Sequence, residues 1–271
     1  MTRVATTVMR DLLTQSPIFT TAQAASAAEV TIPIASRALK QMETNGLIVR
    51  VVRGLWAAPR HPHFSPYGVV PFLLRHDHGA PMDETASWSV PIDLGAVDSE
   101  DASTDYAGEA DVLPASVGGY VSCISALYLH GMISQIPQEI HVTVRSKRAP
   151  LRTPVGRYRF HQIAPTLFGG AEPGDAVARF HLATPAKALV DTFYVAVHRG
   201  RAFAHLPEID WPHLRGHVTS DGGRHPLDVS ESVARLDAEV AHWVDRIERP
   251  RIRAAVQGRW RAVREMMRGE V

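Results

Sequence analysis

The sequence predicts an α+β protein, an N-terminal winged helix-turn-helix followed by a larger mixed α/β domain, on three observations. Two helical segments separated by a tight break lie between Ser16 and Gly46. A short hairpin with basic residues follows them as far as Ala58. Beyond Gly118, strand-like alternating runs lead to a helix that Thr184-Pro185 opens. The expected boundaries are residues 1–75 for the winged helix, 76–117 for an acidic linker or insertion, and 118–271 for a second domain ending in two helices.

Arg3 to Leu13 reads as a first helix, with Val4, Val8 and Leu12 on one stripe. After Ser16-Pro17, Thr20 or Thr21 is placed to cap the alanine-rich segment Ala22 to Ala28, since a hydroxyl there accepts from a helix's first unpaired amides. Glu29-Val30-Thr31 breaks that segment. Pro33 suits the first turn of a second helix, where its missing N–H costs nothing, and Ile34, Ala35, Ala38, Leu39 and Met42 recur at the spacing of one apolar face. Asn45-Gly46 stops it. Leu47 to Val52 and Leu55 to Ala58 are β-prone runs joined by Arg53-Gly54, a two-residue turn in which glycine supplies a positive φ.

A helix with a polar, cationic outer face and an apolar inner one fits the major groove of duplex DNA. Thr31, Ser36, Arg37, Lys40 and Gln41 are the residues expected to meet base edges or phosphates. Arg50 and Arg53, on the hairpin, are expected at the backbone or the minor groove. The alternatives from the same residues are a merely solvated face and a protein-interaction module.

Charge supports a polyanion partner through its distribution rather than its total of +1. Residues 1–75 carry eight Lys/Arg against three Asp/Glu, no Lys or Arg lies between Arg75 and Arg145, and from Arg145 onward basic residues lead 21 to 14. Such a chain attracts a polyanion at its two ends and repels it in the middle. The 271 residues, 45% of them hydrophobic, suffice for two domains with real cores. No run reaches membrane-spanning length and the N-terminus lacks the series of a secretory signal, so a cytoplasmic protein without membrane contact is expected. A single cysteine, Cys123, excludes an internal disulfide framework and reads as a small buried hydrophobe. His61-x-His63 and His76-x-His78 have the spacing of metal ligands, but lie among prolines and glycines and read as loop histidines. No metal and no cofactor is expected.

In the second domain, Tyr120 to Gly131 reads as a short approach and a helix ended by glycine. Gln138 to Arg145 alternates Ile140, Val142 and Val144 against His141, Thr143 and Arg145, the pattern of a half-buried strand. Arg157 to Ile163 and Ala178 to Leu182 are two further strands. Arg145, Lys147, Arg148, Arg157 and Arg159 then form a candidate second surface for DNA or a partner. Trp211-Pro212 and Asp221-Gly222-Gly223 read as turns. Asp228-x-x-Glu231 resembles a capping box opening a helix with a Val233, Leu236, Val240, Trp243, Val244, Ile247 stripe, and Pro250 opens a last, arginine-rich one.

Three segments carry a resemblance to a known family. Arg53-Gly54-Leu55-Trp56 is similar to its wing, Tyr120-Val121-Ser122 through Ser125-Ala126-Leu127 to His130-Gly131 and Pro137 to its second motif, and Leu182 to Asp191 to its "A-T-P-E-K-A-L-x-D" segment, with Ala186 where glutamate is usual. The family is the AbiEi-type antitoxins of type IV toxin–antitoxin and phage-defence operons. The resemblance implies a transcriptional repressor that binds operator repeats upstream of its own operon, paired with a nucleotidyltransferase-like toxin, and no catalytic residues. Two alternatives stand beside it. One is a metabolite-responsive winged-helix repressor. The other is a fused metal-dependent nuclease built on Glu139-x-His141 with Asp111, although His141 stands where such a site wants a lysine. A phosphate-binding glycine loop, an H-E-x-x-H pair and a nucleophile elbow are all missing from the sequence.

Overall fold

The computed structural model describes residues 3–8, 12–13, 16–75, 113, 117–174, 180–200 and 229–269. They form two compact units of mixed helix and sheet.

The first unit begins with α1 (Arg3–Thr7), then β1 (Ile18–Thr20), α2 (Thr21–Ala27) and α3 (Ile32–Thr44), and closes with the hairpin β2 (Val49–Val52) and β3 (Leu55–Ala57). A 3-10 turn (Pro66–Val69) and α4 (Val70–Arg75) follow. Thr20 is the cap of α2: its Oγ1 accepts from the Gln23 N–H at 3.1 Å, while the Thr20 N–H donates to Gln23 Oε1 at 2.8 Å, a reciprocal capping box. The break before α3 is made at Glu29, which takes a left-handed φ of 52°. Thr31 caps α3 through its backbone alone, and Asn45 and Gly46 (φ 69°) end it. Ala35, Ala38, Leu39 and Met42 are buried as the periodicity requires. Ile34 is not, at 51% exposure. It lies about 100° from Ala35 around the helix, at the edge of the apolar stripe, where the core does not reach it. Not anticipated were α4 and a third strand, β1, which pairs antiparallel with β3 in the order β1-β3-β2.

The second unit is a six-stranded mixed sheet in the order β6-β7-β5-β4-β9-β8, formed by β4 (Gly119–Val121), β5 (Ile140–Val144), β6 (Leu151–Thr153), β7 (Gly156–Gln162), β8 (Ala171–Pro173) and β9 (His181–Ala183). A single 3-10 turn, Pro165–Leu167, follows β7. Helix α5 (Cys123–Leu129) follows β4, and α6 (Pro185–His198), capped by Thr184, follows β9. Two longer helices, α7 (Val229–Asp245) and α8 (Pro250–Gly269), pack on α6. Leu236, Val240, Trp243, Val244 and Ile247 bury the α7 stripe, and Val256, Trp260 and Val263 that of α8. Leu113 joins the same core.

The half-buried reading of β5 is corrected: all five residues are buried. Thr143 donates to Asp191 of α6 and His141 pairs with His161 of β7, so both polar side chains have polar side-chain partners in the interior. The rest of the acidic stretch, apart from Leu113 and Val117, lies outside the described residues, as do His76, His78, Asp111, Ala178, Trp211, the Asp221 turn and Asp228.

Candidate nucleic-acid interface and a buried polar core

On the first unit, Thr31, Ser36, Arg37, Lys40 and Gln41 are all exposed, as are Arg50 and Arg53. Arg37 and Gln41 stand three and seven residues after Ile34, so the three share one stripe of α3; Ser36 and Lys40 make the next row. Gln41 Nε2 donates to Asn45 Oδ1 at 3.4 Å, and Thr44 Oγ1 turns back to the Lys40 carbonyl at 3.0 Å. Glu43, the acidic residue of α3, stands three residues after Lys40 and seven after Ser36, at the end of their row. Its Oε1 accepts from the Arg50 N–H at 3.2 Å and ties β2 to the C-terminal end of α3.

The hairpin is fixed on its other side as well. Trp56 Nε1 donates to Thr21 Oγ1 at 2.9 Å, and the Thr21 N–H donates to the Gly54 carbonyl at 2.9 Å, so the turn is anchored to the start of α2. Gly54 takes φ 79°, as the two-residue turn demands. Arg53, beside it, is exposed at the tip, and the Arg50 guanidinium lies 6.0 Å from the Trp56 ring centroid. Helix and hairpin therefore present their cationic groups as a held arrangement.

The five basic residues expected to form a second surface are not brought together. Arg159 is ion-paired with Glu139, with Nη2 to Oε1 at 3.0 Å. That contact draws the Glu139 carboxyl below its usual range and raises the arginine. Arg145 covers the Phe168 ring at 3.9 Å and donates to the Leu113 carbonyl at 3.3 Å. In the parallel register Arg159 sits beside His141 and Gln162 beside Val144, so Arg157 and Arg159 lie at one end of the strand pair and Arg145 past the other. Between them the same face is filled by buried His141, Thr143 and His161. Arg157 and Lys147 are exposed, and Arg148 is half-buried.

Sequence reasoning missed the constellation that the second and third motifs build. Lys187 and Asp191, four apart on α6, form a fully buried ion pair. Asp191 Oδ2 also accepts from Ser122 Oγ at 2.7 Å, Thr143 Oγ1 at 3.2 Å and Tyr120 Oη at 3.3 Å. The Lys187 ammonium lies 5.6 Å from the Tyr120 ring centroid and 5.1 Å from that of Trp243. Burial pulls the lysine below its usual pKa and Asp191 opposes that pull. Burial, then the Asp191 charge, raises the Tyr120 phenol and the Cys123 thiol. Beside this group His141 Nδ1 and His161 Nε2 are 2.7 Å apart in stacked, buried rings. Burial pushes His141 down to about 4; burial and then the neighbouring imidazole push His161 lower still. The signal was a charged pair at helical spacing inside the apolar run Ala186 to Phe193.

These polar groups are buried, with little or no exposure to solvent. Glu139 and His141, the core of the nuclease alternative, are likewise committed, one to Arg159 and the other to His161. His61 and His63 meet in a local turn, the His63 N–H donating to His61 Nδ1 at 3.2 Å. Among the described residues no group of three His, Cys, Asp or Glu side chains is placed to hold a metal ion, and no helix is long and apolar enough to cross a membrane.

No family model and no curated protein matches the chain. It is similar to the crystal structure of the RV2827C protein from Mycobacterium tuberculosis, with a TM-score of 0.47 and 16% identity, over 94% of this chain and 81% of that one.

Proposed function

We propose that the first unit is a winged helix-turn-helix that binds double-stranded DNA, and that the chain is a transcriptional repressor of its own operon. The observation that carries this is the outer face of α3, where Ser36, Arg37, Lys40 and Gln41 are exposed together beside a hairpin with Arg50 and Arg53 exposed. A guanidinium supplies two donors for the guanine edge, an amide supplies one donor and one acceptor for the adenine edge, and the hairpin cations supply phosphate contacts. Glu43 accepts from the Arg50 N–H and so holds the hairpin against the C-terminal end of the helix. The resemblance of the three motifs to AbiEi-type antitoxins extends the proposal to an antitoxin whose toxin is a nucleotidyltransferase-like partner, acting in the cytoplasm and not as an enzyme.

Binding of fluorescent duplexes from the region upstream of the gene, followed by anisotropy, tests the reading. Arg37→Ala or Lys40→Ala weakens specific binding by about 1 to 3 kcal/mol each, while Arg53→Ala lowers the slope of log K against log salt by about 0.9. Unchanged affinity and slope in all three folded variants would sink it.

A second reading, a repressor that senses a small ligand, has one observation in its favour. A cleft of about 320 Å³ on the second unit is floored by Ile163, Leu167 and Ile247 and edged by Tyr194, His198 and Arg249. A metabolite that changes duplex affinity, and loses that effect on Tyr194→Ala, would favour it.

A further inference from the structure

The one departure from the periodic pattern of α3 is Ile34, half exposed in the first turn of the helix at 51%. Its neighbours along the stripe are Arg37 and Gln41, both exposed. These three side chain types are complementary in what they distinguish in a major groove. Arginine matches the two acceptors of guanine, and glutamine matches the donor and acceptor of adenine. What marks thymine is its C5-methyl group, for which only an apolar side chain is a good neighbour. The position fits as well, because recognition helices reach base edges with their N-terminal residues. Pro33 precedes Ile34, and Thr31 is extended at φ −72° and ψ 153°, so the helix starts abruptly just before it. A β-branched side chain on a helix holds nearly one rotamer and loses little freedom on contact.

We propose that Ile34 reads a thymine by packing on its C5-methyl group, an inference that rests on the DNA-binding reading above. Together with Arg37 and Gln41 it makes α3 a reader of a mixed sequence. It also accounts for an isoleucine left in water beside two polar readers.

The experiment starts from a library of duplexes with randomised cores, enriched on the full-length protein. The best-bound duplex is then remade with deoxyuridine in place of each thymine in turn, which deletes the methyl group and keeps the pairing. The wild-type protein loses about fourfold in affinity at one thymine position, the worth of one buried methyl-sized group. Ile34→Ala binds the thymine and deoxyuridine duplexes equally, and Ile34→Val, which keeps a branched apolar side chain, retains most of the discrimination. As the residue is exposed, both variants keep the fold, and circular dichroism checks it. If a duplex is enriched but Ile34→Ala keeps the wild-type ratio, or no thymine is sensitive, this inference falls and the DNA-binding reading stands. If no duplex is enriched at all, both fall together.

Discussion

Removing either member of the Lys187–Asp191 pair tests whether the second unit is held by its polar core. Asp191→Asn keeps an oxygen to accept from Ser122, Thr143 and Tyr120, but leaves the Lys187 ammonium with no countercharge among buried groups. Breaking one side of a buried pair costs about 3 to 5 kcal/mol, a large share of a typical stability of about 5 to 15. Lys187→Met keeps the stem against Tyr120 and Trp243 and leaves the carboxylate with three hydroxyl donors, so its cost is smaller, about 2 to 3 kcal/mol. The double variant Lys187→Met/Asp191→Asn has no unpaired charge. It is therefore less damaged than the two single costs added together, with a coupling energy of about 2 to 3 kcal/mol. Urea unfolding followed by tryptophan fluorescence measures it, since Trp243 packs beside the pair. Costs that simply add, with coupling under about 0.5 kcal/mol, would show that the two charges are not stabilised by one another.

Because burial holds His141 and His161 neutral while both take up protons near pH 6.5 in the unfolded chain, their contribution is complete above that pH and declines as pH falls below it. The two together forfeit about 4 kcal/mol by pH 5, and a denaturation series from pH 7 to 5 that shows no such loss, or the same loss in His141→Gln/His161→Gln, contradicts the assignment. A Cβ at Gly170 (φ +64°) would lie 2.9 Å from Trp243 Cε2 and 3.1 Å from Lys187 Cγ, so Gly170→Ala costs about 2 kcal/mol or more, read as a lowered denaturation midpoint. Glu29→Gly relieves the left-handed residue between α2 and α3 and raises stability by up to about 1 kcal/mol; a lower melting temperature means that the contacts of the Glu29 side chain outweigh its strain.

Signals that act within a few residues were legible in the sequence. Thr20, Asn45-Gly46, Arg53-Gly54 and Thr184-Pro185 all mark the ends and turns at which they stand, because a cap or a positive φ is settled by the chain immediately around it. What was not legible depended on distant partners. Strand β1 is three residues long, too short for a period to show, and exists because β3 offers it an edge. His141 and Thr143 look like a solvent face by alternation; they are buried because Asp191 and His161 arrive from elsewhere in the chain to satisfy them. Among the site residues, the face of α3 could be read and the second basic surface could not. Alternation says which side of a strand a residue takes, but Glu139 claiming Arg159 and Phe168 lying under Arg145 are facts of packing.

The placement of the motifs decides what the family likeness is worth. Tyr120, Ser122, Lys187 and Asp191 carry much of that likeness, and all four are buried in one hydrogen-bonded group. A polar network with no exit to solvent specifies how β4, β5 and α6 fit together, since each unpaired member would cost more than the bond it makes. The residues to which the proposed DNA reading gives the choice of partner lie instead on the exposed row of α3, where nothing in the fold compels an isoleucine, an arginine and a glutamine in succession around the helix. Because the core leaves those positions free, the proposed DNA preference rests on them, and they are where it has to be measured.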